Sequence, residues 1–143
     1  MTRNDIIAEA LSWLGTPYHH RASLKGVGCD CLGLVRGIYR GVVGPEPGDT
    51  PAYPQHNDGS ESERLMLALE EHLSRVPPPG APGDIIVFRL RPNFPARHCG
   101  VLVEPERFIH AVSGREVSMV GLSEWWRKRI AGCFAFPGVE DCT

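Results

Sequence analysis

Cys31 stands at the head of an apolar run, Asp30-Cys31-Leu32-Gly33-Leu34-Val35, with an acidic residue just before it. Asp30 is a good helix N-cap, so the pattern places the thiol in a first helical turn. There the unpaired backbone N–H groups and the positive end of the helix dipole favour thiolate over thiol. Far downstream come two histidines, His98 and His110, in a stretch rich in β-branched and aromatic residues that reads as paired strands. A sulfur nucleophile served by an imidazole suits acyl transfer at an amide or ester.

Plainer readings stand beside this one. Most free cysteines pack as small apolar side chains, and a strand histidine is usually a hydrogen-bonded structural residue. Cys29 lacks the helix-start position, Cys133 lies in an apolar strand, and Cys142 is in a tail. Cys29-x-Cys31 with His98-Cys99 permits a metal reading, but zinc sites usually repeat a CxxC pair and this chain has none, so neither metal nor cofactor is expected. A redox reading of Cys29 and Cys31 is one residue short of CxxC. His98 and His110 face one way only if paired residue numbers sum to an even value. Pairing 98 or 100 with 110 meets this; pairing Val103 with Phe108 does not. His19, His20, His56 and His72 read as surface residues, the first two as candidates for a cleft rim.

The elements that would position these groups follow from periodicity. Asn4 to Leu14 predicts an amphipathic helix with Ile6, Ile7, Ala10, Leu11 and Leu14 inward and Gly15 as its stop. Thr16-Pro17-Tyr18 turns the chain into a glycine-containing loop from His19 to Cys29. The second helix would bury Cys31, Leu34, Val35, Ile38 and Val42. Gly44 to Gly59 is proline-rich and irregular, and Ser60-x-x-Glu63 reads as a capping box opening a third helix through about Arg75. Beyond it the period becomes extended, with strands at Asp84–Leu90, His98–Val103 and Phe108–Val112 and a short one at Val117–Val120. Ser123 would cap a brief helix carrying Trp125 and Trp126, before a last strand from Ile130 to Phe136. Asp84 reads as a turn residue. Helices first and antiparallel strands second make an α+β domain spanning 1–143, with a helical part to about 76, a sheet part from about 82 to 137 and a short tail.

With 143 residues, 42% hydrophobic and 22% charged content and a net charge of −2, the chain can bury a core and offers no basic surface for nucleic acid. No apolar run approaches the roughly 20 residues of a membrane span, so membrane insertion is not expected. Met1-Thr2-Arg3-Asn4-Asp5 leads straight into a helical pattern rather than a secretory signal. Five cysteines at irregular spacings argue against a disulfide framework and for synthesis in a reducing cytoplasm.

Taken in order, Leu14-Gly15-Thr16-Pro17-Tyr18, Asp30-Cys31-x-Gly33-Leu34-Val35, Pro82-Gly83-Asp84-Ile85-x-Val87-Phe88, His98-x-Gly100-Val101 and Phe108-Ile109-His110-Ala111 resemble the NlpC-type cell-wall peptidases. These are papain-like cysteine hydrolases that cut peptidoglycan stem peptides. The resemblance implies a papain-like fold, with N-terminal helices packed on a central antiparallel β-sheet. It also implies Cys31 as nucleophile, His98 as general base and then acid, and His110 as the orienting group in place of the papain asparagine. Tyr18 matches a family tyrosine that would bind substrate or line the oxyanion site, with Asp30 beside it. Two departures are Leu32, where the family commonly has serine, and the polar loop after Tyr18, where it has Gly-Gly. The segment HHRASLKGVGCDC looks most like a phage-tail and gene-transfer-agent branch. That branch implies phage-like tail partners, assembly into a virion or tail, and action on the wall of a target cell. Gly44–Gly59 and Trp125/Trp126 are the candidate docking surfaces, although the tryptophans also suit packing on the sheet.

Overall fold

The computed structural model describes residues 1–47 and 63–140. Helix α1 (Arg3–Leu11) starts with a reciprocal capping box: the Thr2 hydroxyl accepts from Asp5 N–H, and the Asp5 carboxylate accepts from Thr2 N–H at 2.8 Å. The helix ends at Leu11, three residues short of the predicted Leu14. Leu11 and Leu14 stay exposed, and Trp13 enters the core in their place. Trp13 fits because Gly37 faces it, where a Cβ would lie 2.0 Å from the indole. Residues 19–29 do not run as a plain loop. Ser23–Leu24 (β1) and Gly28–Cys29 (β2) pair as a small antiparallel hairpin leading into α2 (Cys31–Val42). Leu34, Val35 and Ile38 are buried as predicted, while Cys31 and Val42 are half-buried.

Helix α3 (Arg64–Glu70) is shorter than expected. Ser60 lies outside the described residues, and Glu63 makes no side-chain cap. Its carboxylate is instead bonded to Arg89 and accepts from Ala96 N–H at 3.0 Å. The helical part therefore stops before residue 76. Ser74–Val76 forms an edge strand, β3, whose conformation comes from pairing Arg75 with Phe134 on the last strand rather than from its own polar sequence.

The remaining strands are β4 (Ile85–Phe88), β5 (His98–Glu104), β6 (Arg107–His110), β7 (Ser118–Gly121) and β8 (Ile130–Ala135). They form one antiparallel sheet in the order β3-β8-β4-β5-β6-β7. A short helix, α4 (Glu124–Arg127), precedes β8; Ser123 is its N-cap residue by position but makes no side-chain bond there. One sheet face packs Ile85, Val87, Val101 and Ile109 against Ile6, Leu34 and Ile38 of the helices. The other face gathers Ile86, Phe88, Leu102 and Phe108 beneath Leu122 and Trp126. Asp84 serves the turn, accepting from Ala81 N–H at 2.8 Å, and its other oxygen bonds Arg3 at 2.9 Å. Among the described residues no helix is long and apolar enough to cross a membrane.

Candidate active site

The β5–β6 register decides whether the two histidines meet. Gly100 pairs with His110 and Leu102 with Phe108, an even sum, so His98 and His110 share a face. A register shift between Leu102 and Glu104 then lets the tight turn at Pro105-Glu106 close with Glu104 opposite Arg107. Gly100 leaves room for its β6 neighbours, since a Cβ there would lie 2.8 Å from the Phe108 ring and 2.7 Å from the Ile109 carbonyl oxygen.

His98 Nε2 and His110 Nδ1 are 2.8 Å apart. Burial, then the nearby His98 and Arg115 charges, push His110 down to about 4. His110 is thus neutral near pH 7, and an orienting role needs the tautomer whose Nδ1 accepts from His98 Nε2–H. That leaves His98 Nδ1 for the nucleophile. The indole of Trp126 covers both rings, with centroids 5.8 Å from His98 and 5.5 Å from His110.

Cys31 comes to this pair from the helical layer. Its Sγ lies 3.8 Å from the Arg97 carbonyl oxygen, beside the first residues of β5. His98 and Cys99 follow Arg97 on β5 and point to opposite faces of that strand, so the sulfur sits at the strand's start. The Cys99 hydrogen bond, opposed by burial and joined by the hydrogen bond and charge of His98, lowers Cys31 to about 5. Of the two thiols Cys31 is the one that favours the thiolate, because it alone has the helix N-terminus and the imidazole. Cys99 moves well upward, first because it donates to Cys31. Burial, then the Asp30 and Cys31 charges, raise Cys29 to about 12, so no thiolate competes from two residues away.

The loop beneath the sulfur is held by Asp30, which is 1% exposed. One carboxylate oxygen accepts from Gly33 N–H at 2.7 Å, and the other from Arg21 N–H at 2.6 Å, with His20 Nδ1 3.5 Å away. Arg21 has the left-handed φ of 64° that this bond holds in place. So placed, Asp30 holds the turn that carries Cys31. Tyr18 bridges backbone to backbone with Cys29, which sets its half-buried ring beside the segment entering α2. His19 and His72 are exposed and His20 is half-buried; His56 lies outside the described residues. Among the described residues no group of three or more His, Cys, Asp or Glu side chains gathers as a metal site.

Cys31, His98 and His110 are thus brought together as the motif spacing suggests. Gly100 and Trp126 join them. Gly100 is readable as a motif residue.

A thiol at a helix start whose sulfur lies beside the strand carrying the first of two paired imidazoles is an arrangement suited to nucleophilic chemistry. The chain belongs to the NlpC/P60 family, whose pattern matches residues 15–134. It is 26% identical over 135 residues to the gamma-DL-glutamyl hydrolase of Bacillus subtilis (strain 168), covering 94% of this chain and 29% of that protein. It is 28% identical over 129 residues to the murein DD-endopeptidase MepS/murein LD-carboxypeptidase of Escherichia coli (strain K12), covering 89% of this chain and 59% of that one. The chain therefore spans less than two thirds of the length of either relative. Among solved structures, the NlpC/p60 domain of the peptidoglycan hydrolase SagA superposes with a TM-score of 0.69 at 20% identity, over 95% of this chain and 100% of that domain.

Proposed function

We propose that this protein is a cysteine peptidase that hydrolyses peptidoglycan stem peptides, at the bond joining γ-D-glutamate to a diamino acid. The observation that carries the chemistry is the line Cys31–His98–His110, with the thiolate favoured at one end and a neutral acceptor at the other. The substrate class rests on relatives named for γ-glutamyl and murein hydrolysis.

In this reading the Cys31 thiolate attacks the amide carbonyl, and the oxyanion forms against the Cys31 backbone N–H with Tyr18 as a second donor. His98 gives its proton to the departing amine, leaving a thioester on Cys31. A water then attacks as His98 takes its proton, and the acid is released. His110 keeps the His98 ring aimed throughout. Cys31→Ala is expected to lower muropeptide cleavage by about four orders of magnitude, and Cys29→Ala to leave it near wild type, with fragments identified by mass. Cleavage that survives the first substitution overturns the reading. Cleavage only at amide bonds outside the stem peptide makes the enzyme an amidase of another specificity.

The setting we propose is a phage-like tail that carries the enzyme to a target wall, with tail proteins as partners. The HHRASLKGVGCDC segment supports this by its resemblance to the tail-associated branch. Trp125, 50% exposed with the Arg129 guanidinium 3.8 Å over its ring, is the described candidate for contact; residues 48–62 of the proline-rich segment lie outside the described residues. Purified particles probed by mass spectrometry should contain the chain. Its absence from every particle preparation would overturn tail delivery.

A further inference from the structure

Glu63 stands at the N-cap position of α3 and makes no side-chain cap there. Its carboxylate reaches instead to the connection between β4 and β5 and holds both ends of it. One oxygen takes the Arg89 guanidinium, and the other accepts from Ala96 N–H at 3.0 Å. The same guanidinium nitrogen donates to the Phe94 carbonyl at 2.7 Å, so Arg89 spans the loop that Glu63 brackets. Hydrolysis gives neither side chain a step. Nor does charge explain them: Arg89 and Glu63 are 34% and 35% exposed, and an ion pair so open to water contributes little to stability.

The reason lies in what the pair holds. Ala96 is 1% exposed, and a buried N–H without an acceptor is costly, so the Glu63 oxygen fixes where the chain passes. Pro92 and Pro95 bring no N–H of their own to the connection. One residue beyond Ala96, the Arg97 carbonyl oxygen lies 3.8 Å from Cys31 Sγ; two residues beyond it, His98 opens β5. The sheet is irregular at this point. Phe88, the partner of His98, follows a register shift in the β4–β8 ladder, and the Arg89 N–H then bonds the Arg129 carbonyl at 2.7 Å. We propose that Glu63 and Arg89 are positioning residues: a clamp from α3 onto the β4–β5 connection that sets where the Arg97 carbonyl and the His98 ring stand against the Cys31 sulfur.

The lever is short and acts on one partner only. Cys31 is held from its own side, by the Asp30 bonds to Gly33 N–H and Arg21 N–H. Releasing Ala96 therefore moves the imidazole relative to the sulfur rather than both together. A displacement of about 1 Å between reacting groups costs as much as about 10²-fold in rate, and a partly loosened loop costs less. The turnover effect rests on the peptidase reading; the geometric effect does not.

The full chain is tested by urea denaturation, by the pH profile of Cys31 alkylation with iodoacetamide, and by kcat and KM on muropeptides. Glu63→Ala and Arg89→Ala should each lower kcat about tenfold with KM little changed. Each should also move the alkylation midpoint to higher pH in the folded protein, because the imidazole that favours the thiolate has shifted. The double variant should be no worse than either single one, since both break one device. Glu63→Gln keeps an acceptor for Ala96 N–H and should recover part of the loss in both readouts. Glu70→Ala, which removes the exposed α3 ion pair to Arg75 at 2.8 Å, should leave both at wild type. A wild-type alkylation profile in Glu63→Ala and Glu63→Gln, with kcat falling only as far as the folded fraction, overturns the inference; so does an equal shift in Glu70→Ala. If wild type cuts no muropeptide while Glu63→Ala shifts the alkylation profile, the peptidase reading alone fails. If wild type cuts muropeptides and neither Glu63 variant shifts the profile, this inference alone fails.

Discussion

At Cys31, Cys29 and Cys133 the same side chain meets three environments, and the spread between them is the source of selectivity. Burial carries Cys133 to about 11 and Cys29 to about 12, while hydrogen bonding at the helix start holds Cys31 at about 5. Alkylation with iodoacetamide at pH 6, followed by peptide mapping, should therefore label Cys31 ahead of Cys29, Cys99 and Cys133. The rate at Cys31 should fall as the pH drops through about 5. His110 adds a second acid limit. Its folded value lies near 4 against an ordinary 6.5, so the unfolded chain binds a proton between those values that the folded chain does not. Stability from this group is whole above pH 6.5 and declines as the pH falls toward 4, by about 3 kcal/mol in all. His110→Asn offers an amide oxygen to His98 Nε2–H and cannot titrate. It should keep a substantial part of the activity and flatten the acid side of the urea-denaturation midpoint against pH. His110→Ala, which frees the His98 ring, should cost about 10²-fold in kcat. If the asparagine and alanine variants lose activity equally, the orienting role is wrong.

Among the elements, α2 carries the most, because its first turn must present the sulfur while the preceding loop grips it. Gly33 lies under that grip. A Cβ there would sit 1.9 Å from the Ala22 carbonyl oxygen, a backbone atom that cannot swing aside. The Ser23 hydroxyl donates to the Gly33 carbonyl at 2.6 Å, fixing the loop from the other side. Gly33→Ala should therefore push residues 21–23 off the helix, loosen the Asp30 bonds and displace Cys31. The expected outcome is a loss of about 2 kcal/mol in stability with a larger proportional loss of turnover, read by denaturation and by kcat on one sample. Turnover that falls only as far as the folded fraction falls would show that the loop does not aim the sulfur. How much of this was legible follows from where the signals are local. Asp30 announces α2 because capping is a matter of a few neighbouring residues, and α1 shows in its helical spacing, whereas its Thr2 cap does not figure in that pattern. The β4, β5, β6 and β8 strands show in their β-branched and aromatic runs. The β1–β2 hairpin and β3 are two- and three-residue strands with no room for alternation, and only their partners specify them. Ser60 of the Ser60–Glu63 motif lies outside the described residues, and Glu63 bonds Arg89 and Ala96, long-range partners that no local pattern records.

The whole molecule has to bring a helical layer and a sheet into register, since the sulfur belongs to the first and both imidazoles to the second. Arg3 and Asp84 tie these layers together well away from the sulfur. Asp84 is 2% exposed at the head of β4, and Arg3 at the start of α1 bonds it at 2.9 Å while also donating to the Pro82 carbonyl at 3.2 Å. Removing the guanidinium leaves a buried carboxylate with the Ala81 N–H and without its cation, an arrangement that destabilises more than an exposed pair would. Because Arg3 is itself partly in solvent, the cost of Arg3→Ala is about 2 kcal/mol, or a fall of about 6 °C in Tm for a chain of this size. The site should not feel it below the transition. Contacts between α2 and β5 fix the Cys31–His98 geometry, and Leu34 and Val101 on those two elements are fully buried. Arg3→Ala at 25 °C should accordingly keep the wild-type pH profile of Cys31 alkylation and the wild-type kcat, while melting earlier. A shifted alkylation profile in the folded variant would mean that layer docking at α1 tunes the nucleophile directly, and that scaffold and site cannot be treated as separable.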